Sequence, residues 1–179
     1  MTRVRPVTLD DAGAIAGIYS PIVQHTAISF ELEPPSADVI GHRIGTVTSG
    51  YPWLVLDIDG EVGGYAYAGP FKDRAAYRWS VETAIYLDVE VRGLGLGKFL
   101  YTALIDELRE AGFANVFAGV TKPNPGSEAL HVSAGFRPIG VFPRAGFKLG
   151  EWHDVGWWHR PLHDNPSPTE PRALLGCSR

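Results

Sequence analysis

The sequence predicts a single α/β domain, and three observations carry that prediction. The stretches "VETAIYLD", "RGLGLGK" and "KFLYTALIDELREAG" follow one another as a β-rich strand, a glycine loop and an amphipathic helix. "YPWLVLDIDGEVGGYAYAGP" reads as two strands about Asp59-Gly60, a pair that tolerates positive φ and so marks a hairpin. At 179 residues, 45% hydrophobic and 20% charged, the chain has the length and composition for one ordinary core.

In order along the chain, "TRVRPVT" is a first strand. "LDDAGAIAGIYSPIVQ" is a helix that starts at Asp10 and Asp11 and is expected to be interrupted near Pro21, which has no amide hydrogen to donate. "TAISFELEP" is extended, and "SADVIGHRIGTVTSG" is a second helix capped by Ser36 despite its glycines. After the hairpin and the strand, loop and helix, "NVFAGVT" is a further strand and "NPGSEALHVSAGF" a short helix ended by Gly135. "RPIGVFPRAGFKLGEWHDVGWWHRPL" closes the domain as two strands joined by a glycine-containing loop. The domain is expected to span residues 1–162. The proline-rich segment 163–179 is expected to be a mobile tail.

Charge and composition exclude several classes of function. A net charge of −4 with scattered basic residues does not make the basic face that nucleic acid requires. The single cysteine, Cys177, forms no internal disulfide. The N-terminus lacks a signal peptide's apolar core, and no run approaches the ~18 apolar residues of a membrane helix, so a cytoplasmic protein is expected. His153 and His159 lie on an extended segment without further ligands, and no metal site is expected.

The glycine loop carries most of the chemistry. Its third glycine comes one residue too early for a dinucleotide fingerprint, and no carboxylate stands downstream to bind a ribose. Phe99 stands where a nucleoside-triphosphate loop needs a magnesium-binding hydroxyl. Between a strand and a helix start, the loop still leaves free amides and the positive end of a helix dipole, which suit a pyrophosphate, with charge added by Arg92 and Lys98. The spacing alone fits a simple tight turn equally well.

"RGLGLG", with Arg92, Gly95 and Gly97 in the fixed places of [RQ]-x-x-G-x-[GA], resembles the coenzyme A loop of the GNAT family of N-acetyltransferases, and "NPGSEALHVSAGF" resembles a second element of that family. "YPWLV", "YAYAGPFK", "LYT" and "GFKLGEWHDVGWW" are similar to its phosphinothricin and methionine sulfoximine acetyltransferases. The resemblance covers the chain to about Pro161. It implies a mixed, mostly antiparallel sheet of six or seven strands with helices on both faces and a central V-shaped opening for acetyl-CoA, used as co-substrate, in an enzyme that is a homodimer.

Residue by residue, the resemblance implies that Arg92, Gly93, Leu94, Gly95, Leu96, Gly97 and Lys98 hold the pyrophosphate. The edge at Ile85, Tyr86 and Leu87 would bond the pantetheine arm, together with Asn124, which otherwise reads as a turn residue between prolines. Glu82 would be the general base, against the plain reading of a surface glutamate at a strand start. His131 would be general acid, second base or a structural residue. Arg74 and Arg78 would bind the acceptor's oxygens, with Phe30 and Tyr77 walling the pocket and Lys148 reaching it from the partner chain. Two alternatives stay open: an acetyltransferase for another amine, such as a protein N-terminus or polyamine, and a non-catalytic coenzyme A sensor.

Overall fold

The computed structural model describes residues 1–164 and 168–172. Its centre is a seven-stranded mixed sheet in the order β1-β2-β3-β4-β5-β7-β6. The strands are β1 (Thr2–Pro6), β2 (Trp53–Ile58), β3 (Glu61–Pro70), β4 (Ser80–Leu87), β5 (Asn115–Lys122), β6 (Arg137–Lys148) and β7 (Glu151–Pro161). The hairpin between β2 and β3 turns at Asp59 and Gly60, both with positive φ of 53° and 95°. Every adjacent pair is antiparallel except β4 and β5, which run parallel.

That exception shapes the molecule. β4 and β5 share only three rungs, Ser80 with Asn115, Val81 with Val116 and Glu82 with Phe117. Beyond them β4 continues to Leu87 paired only with β3, while β5 continues to Lys122 paired only with β7. The sheet therefore opens as a V from Glu82 onward.

Helices cover both faces. α1 (Ala12–His25) and α2 (Ala37–Val47) pack Ile15, Ile18, Ile22, Ile40 and Ile44 against Trp53, Val55 and Tyr65. On the other face the expected amphipathic helix, α3 (Leu96–Glu110), buries Leu100, Leu104, Ile105 and Leu108 against Leu54, Leu56, Val81 and Val116, beside α4 (Pro125–Ser133). Ser36 caps α2 as expected, its hydroxyl accepting from the Val39 amide at 3.3 Å.

Two local expectations are corrected. α1 runs unbroken through Pro21. A proline removes a single backbone bond, and the buried residues on either side of it, Ile18, Tyr19, Ile22 and Val23, hold the helix together by packing. The "TAISFELEP" segment joins no strand; it is a bent connection, pinned by side chains rather than by a ladder. Tyr19 Oη lies 2.6 Å from Ser29 Oγ and donates to Glu31 at 3.0 Å, and Glu31 accepts both arms of Arg43 at 2.7 and 2.9 Å.

Of the segment expected to be mobile, residues 165–167 and 173–179, including Cys177, lie outside the described residues. At 168–172 the chain lies against the domain. Trp79 Nε1 donates to the Thr169 carbonyl at 2.8 Å, Glu170 pairs with Arg78, and the Arg172 amide donates to the Ala111 carbonyl at 2.8 Å.

The β1 edge is held by a charged cluster. Asp57 accepts from Arg5 Nε at 2.9 Å and from Arg3 at 3.0 Å, while Arg5 also grips Asp11 at 2.8 Å. The Arg5 hydrogen bond, the Gly60 amide and Arg3 together hold the Asp57 carboxyl down to about 2. A carboxyl held below its ordinary 3.8 adds stability that is present above that value and is lost as pH falls toward about 2. Asp57→Asn should therefore lower Tm at pH 7, and the gap to the wild type should narrow as the pH falls below 3.8. A gap independent of pH would assign the loss to packing alone.

Candidate active site

The V opens onto a pocket of about 540 Å³ between the free end of β4, the glycine loop and α4. It gathers Ile85, Tyr86, Leu87, Arg92, Gly93, Gly95, Gly97, Lys98 and Asn124, every expected cofactor contact except Leu94 and Leu96. Leu94 points outward and is 67% exposed, while Leu96 packs on the α3 side of the core. Ile22, Ile28, Ser127 and Leu130 also line the pocket. The first two lie on α1 and the loop after it, which only the fold brings here.

The loop has the form an anion needs. Gly93 and Gly95 both sit at φ 78°, which disfavours side chains, and a Cβ at either would meet nothing within 4 Å. Gly95 is the left-handed residue immediately before α3, so the first-turn amides of that helix face the opening without a capping side chain. Arg92 donates to the Leu87 carbonyl through Nε and Nη2, at 3.1 and 2.9 Å, fastening the loop to the end of β4. Asn124 caps α4 by accepting from the Ser127 amide at 3.2 Å, which leaves its amide nitrogen available to the pocket.

Strand geometry decides which backbone groups face the gap. The Ser80 carbonyl bonds the Phe71 amide and the Asp88 amide bonds the Gly63 carbonyl, so even-numbered residues of β4 direct their backbone toward β3. Ile85 and Leu87 alternate with them and face the side that β5 has left. Of the expected trio, Tyr86 lines the pocket but its backbone pairs with Tyr65.

Side chains alternate as well. Glu82 lies on the α1–α2 face and Thr83 on the α3 face, where its neighbours Val81 and Ile85 also pack. Glu82 is half-buried and takes no hydrogen bond or ion pair among the described residues. Burial raises its pKa, and the charge of Lys72 offsets part of that rise.

His131 lies on the opposite face of the sheet from Glu82 and is 3% exposed. Its Nδ1 lies 2.7 Å from the Ser127 carbonyl and its Nε2 lies 3.2 Å from Tyr101 Oη. Burial lowers its pKa. The structure does not bring this imidazole together with Glu82 or present it at the pocket surface.

The expected acceptor residues do not gather in one place: Arg74, Tyr77 and Arg78 lie in the β3–β4 connection, at the closed end of the V, Phe30 lies between α1 and α2, and Lys148 ends β6. Tyr77 meets Phe71 edge to face at 5.9 Å, in the connection between β3 and β4 that also carries Arg74. Arg74 is exposed, and its guanidinium has no side-chain partner among the described residues. Arg78 is already engaged, by Glu170, by the Ala75 carbonyl at 2.9 Å and by the Trp79 ring. Phe30 lies beside His153, 6.3 Å between centroids, and against Gly146, where a Cβ would come within 2.5 Å of the ring. Lys148, expected to reach over from a partner chain, is buried in its own chain and donates to the Ser29 carbonyl at 2.6 Å. His153 bonds the Lys148 carbonyl at 3.0 Å and His159 the Asn115 side chain at 2.9 Å.

A mixed sheet parted at its single parallel pair, with a glycine loop and helix start at one end of the gap, defines an acyl-coenzyme A-dependent acyltransferase. Residues 4–157 match the acetyltransferase (GNAT) domain family, and the chain belongs to that family. It is 38% identical over 169 residues to phosphinothricin N-acetyltransferase of Streptomyces viridochromogenes, covering 94% of this chain and 92% of that one. It is 33% identical over 162 residues to an L-methionine sulfoximine/L-methionine sulfone acetyltransferase of Salmonella typhimurium, covering 88% and 93%. The solved structure of a phosphinothricin acetyltransferase from Sinorhizobium meliloti in complex with AcCoA superposes with a TM-score of 0.91 at 36% identity, covering 98% of this chain and 97% of that one.

Because the folded state raises the Glu82 pKa, that carboxyl contributes most to stability while protonated, and the contribution is lost as pH rises through its folded pKa. Glu82→Gln removes the cost of burying an ionised group. It should raise Tm at pH 7 and give little or no gain below the ordinary carboxylate range. A lower Tm for the variant at pH 7 would mean that the carboxylate is stabilised by partners in the fold.

Proposed function

We propose that this protein is an acetyl-CoA-dependent N-acetyltransferase that acetylates the α-amino group of a small amino acid with a polar tetrahedral side-chain group, of the phosphinothricin or methionine sulfoximine kind. The observation that carries this reading is a half-buried carboxylate, Glu82, with no hydrogen bond or ion pair among the described residues, on the last rung before the sheet parts. From there the free edge of β4 runs five residues to Leu87, about 16 Å of strand, and ends at the glycine loop.

Acetyl-CoA supplies the activated thioester. The loop amides and Lys98 bind its pyrophosphate, and the backbone of Ile85 and Leu87 bonds the pantetheine arm as a strand would. A free amide on this edge donates to the acetyl oxygen as negative charge develops there. Glu82 takes a proton from the acceptor's ammonium group, directly or through water, because only the neutral amine has a lone pair. The nitrogen attacks the carbonyl carbon and the C–N bond forms; the tetrahedral intermediate gives the nitrogen's second proton to solvent as the C–S bond breaks, and the thiolate leaves with the electron pair and is protonated from solvent. The raised proton affinity of Glu82 makes it a stronger acceptor than an ordinary carboxylate.

Arg74 is assigned to the acceptor's oxygens because its fork has no side-chain partner among the described residues, with Tyr77 and Phe30 as walls. Arg78 joins it only when released from Glu170. Lys148 acts through its hold on the Ser29 loop that carries Phe30. We place the reaction in the cytoplasm, where acetyl-CoA is held, and its biological result is resistance, since acetylation removes the amino cation of a toxic amino acid. A homodimer is the assembly that fits β6, a 12-residue edge strand that leaves Ile139, Val141, Phe142 and Phe147 exposed.

Thiol release from acetyl-CoA tests this with phosphinothricin, methionine sulfoximine, leucine, a peptide with a free N-terminus and a polyamine as acceptors. The first two should exceed leucine in kcat/KM by at least about 10²-fold, because a site built to bond oxygens is left unpaired by an apolar side chain. Glu82→Gln should slow turnover by about 10²- to 10⁴-fold without changing acetyl-CoA affinity. Near-normal turnover in that variant would remove Glu82 as base. A preference for the peptide or polyamine would replace the amino-acid acceptor.

A further inference from the structure

Thr83 is the first residue past the last rung joining β4 to β5, and it is 6% exposed on the face opposite Glu82. Its Oγ1 lies 2.7 Å from Tyr101 Oη, and Tyr101, from the middle of α3, is wholly buried. Tyr101 Oη in turn lies 3.2 Å from His131 Nε2, and His131 Nδ1 lies 2.7 Å from the Ser127 carbonyl in the first turn of α4. Ser127 itself lines the pocket. One chain of hydrogen bonds thus passes beneath the cleft, from the β4 wall through α3 to the α4 wall.

The direction of that chain follows from its ends. The Ser127 carbonyl only accepts, so His131 Nδ1 carries a hydrogen. With no carboxylate among the described residues bonded to it to favour a second proton, the buried ring is neutral, and Nε2 accepts from Tyr101. Thr83 then has two acceptors in reach, Tyr101 Oη at 2.7 Å and the Phe117 carbonyl at 3.4 Å. The longer contact is at the limit of a hydrogen bond, so Thr83 donates to Tyr101. The rings are held independently of these bonds: Tyr101 stacks on Phe136 with 5.3 Å between centroids, and His131 meets Phe136 edge to face at 5.1 Å.

We infer that Tyr101 is a positioning residue for acetyl transfer: its hydroxyl ties Thr83, at the apex of the V, to His131 and so fixes the spacing between the two walls of the cleft. The thioester must lie within bonding reach of the free β4 edge while its arm is held from the α4 side, and a small error in that spacing is costly for the chemical step. The inference rests on the acetyl-transfer reading above but not on the role of Glu82. It gives His131 a reason to be present that does not require it to touch the substrate.

Tyr101→Phe removes one oxygen and keeps the stack on Phe136. In the folded variant, well below its Tm, kcat should fall by about 5- to 50-fold while KM for acetyl-CoA stays within about twofold, an effect in the range that ångström-scale misplacement produces. ¹⁵N spectra should give His131, identified by its disappearance in His131→Gln, as a single Nδ1–H tautomer in the wild type and a shifted Nε2 in Tyr101→Phe. Should Tyr101→Phe fold poorly, Thr83→Val should reproduce the loss in kcat and Thr83→Ser should restore it. A kcat within twofold of wild type in Tyr101→Phe or Thr83→Val, equal losses in the Val and Ser variants, or an unchanged Nε2 resonance would overturn the inference. An inactive wild type would sink the acetyl-transfer reading instead, and the ring-nitrogen result would still decide whether the chain of bonds exists.

Discussion

β4 and β5 are each claimed by a stronger neighbour. β3 holds β4 over seven antiparallel pairs and β7 holds β5 over eight, whereas the two share only three rungs with one another. Sheet twist accumulates on both sides of that weak seam, and the strands part where three rungs no longer hold them. Close packing keeps them apart. A Cβ on Gly64 would come within 2.9 Å of the Tyr86 carbonyl, and one on Gly97 would come within 3.0 Å of the Leu87 side chain, so two glycines allow β3 and α3 to clamp the free end of β4. Arg92 completes the clamp at the Leu87 carbonyl.

Because the gap lies in the plane of the sheet, it is reached from both faces, and the faces do different work. On the α3 side lie the glycine loop, Asn124 and the buried line from Thr83 to Ser127. On the α1–α2 side Glu82 stands near a tyrosine cluster in which Tyr86 meets Tyr19 at 5.0 Å and Tyr65 at 5.3 Å. Burial raises the pKa of Tyr67, on the strand beside Glu82, to about 12, and none of these tyrosines hydrogen-bonds Glu82 among the described residues. A half-buried carboxylate with only the charge of Lys72 felt among the described residues suits the proton acceptor proposed above.

Much of this was legible from local chemistry. Asp59-Gly60 specified its turn, the amphipathic pattern specified α3, and the glycines with their flanks specified the strand, loop and helix unit that lines the pocket. These features depend on a few neighbouring residues. What was not legible depends on pairings distant in sequence. Pro21 read as a break because tertiary packing, invisible locally, outweighs one lost hydrogen bond. Lys148 and Arg78 read as free cations because their partners, Ser29 and Glu170, lie 119 and 92 residues away. His131 read as a possible acid because its position on α4 was visible and its burial behind Tyr101 was not. Tyr101 gave no signal at all: an aromatic residue on the apolar stripe of a helix is ordinary core, and only the contact with Thr83 distinguishes it.

The parting of the strands as the binding site for coenzyme A is the claim on which the rest depends, and amide hydrogen exchange along β4 measures it most directly. Without ligand, the Ile85 and Leu87 amides should exchange rapidly while their neighbours Ala84 and Tyr86, bonded to β3, are protected. Saturating coenzyme A should slow Ile85 and Leu87 by at least about tenfold, the effect of giving a free strand edge a partner. Protection of Ile85 and Leu87 equal to that of Tyr86 in the free protein, or no slowing when calorimetry shows coenzyme A to be bound, would contradict the account.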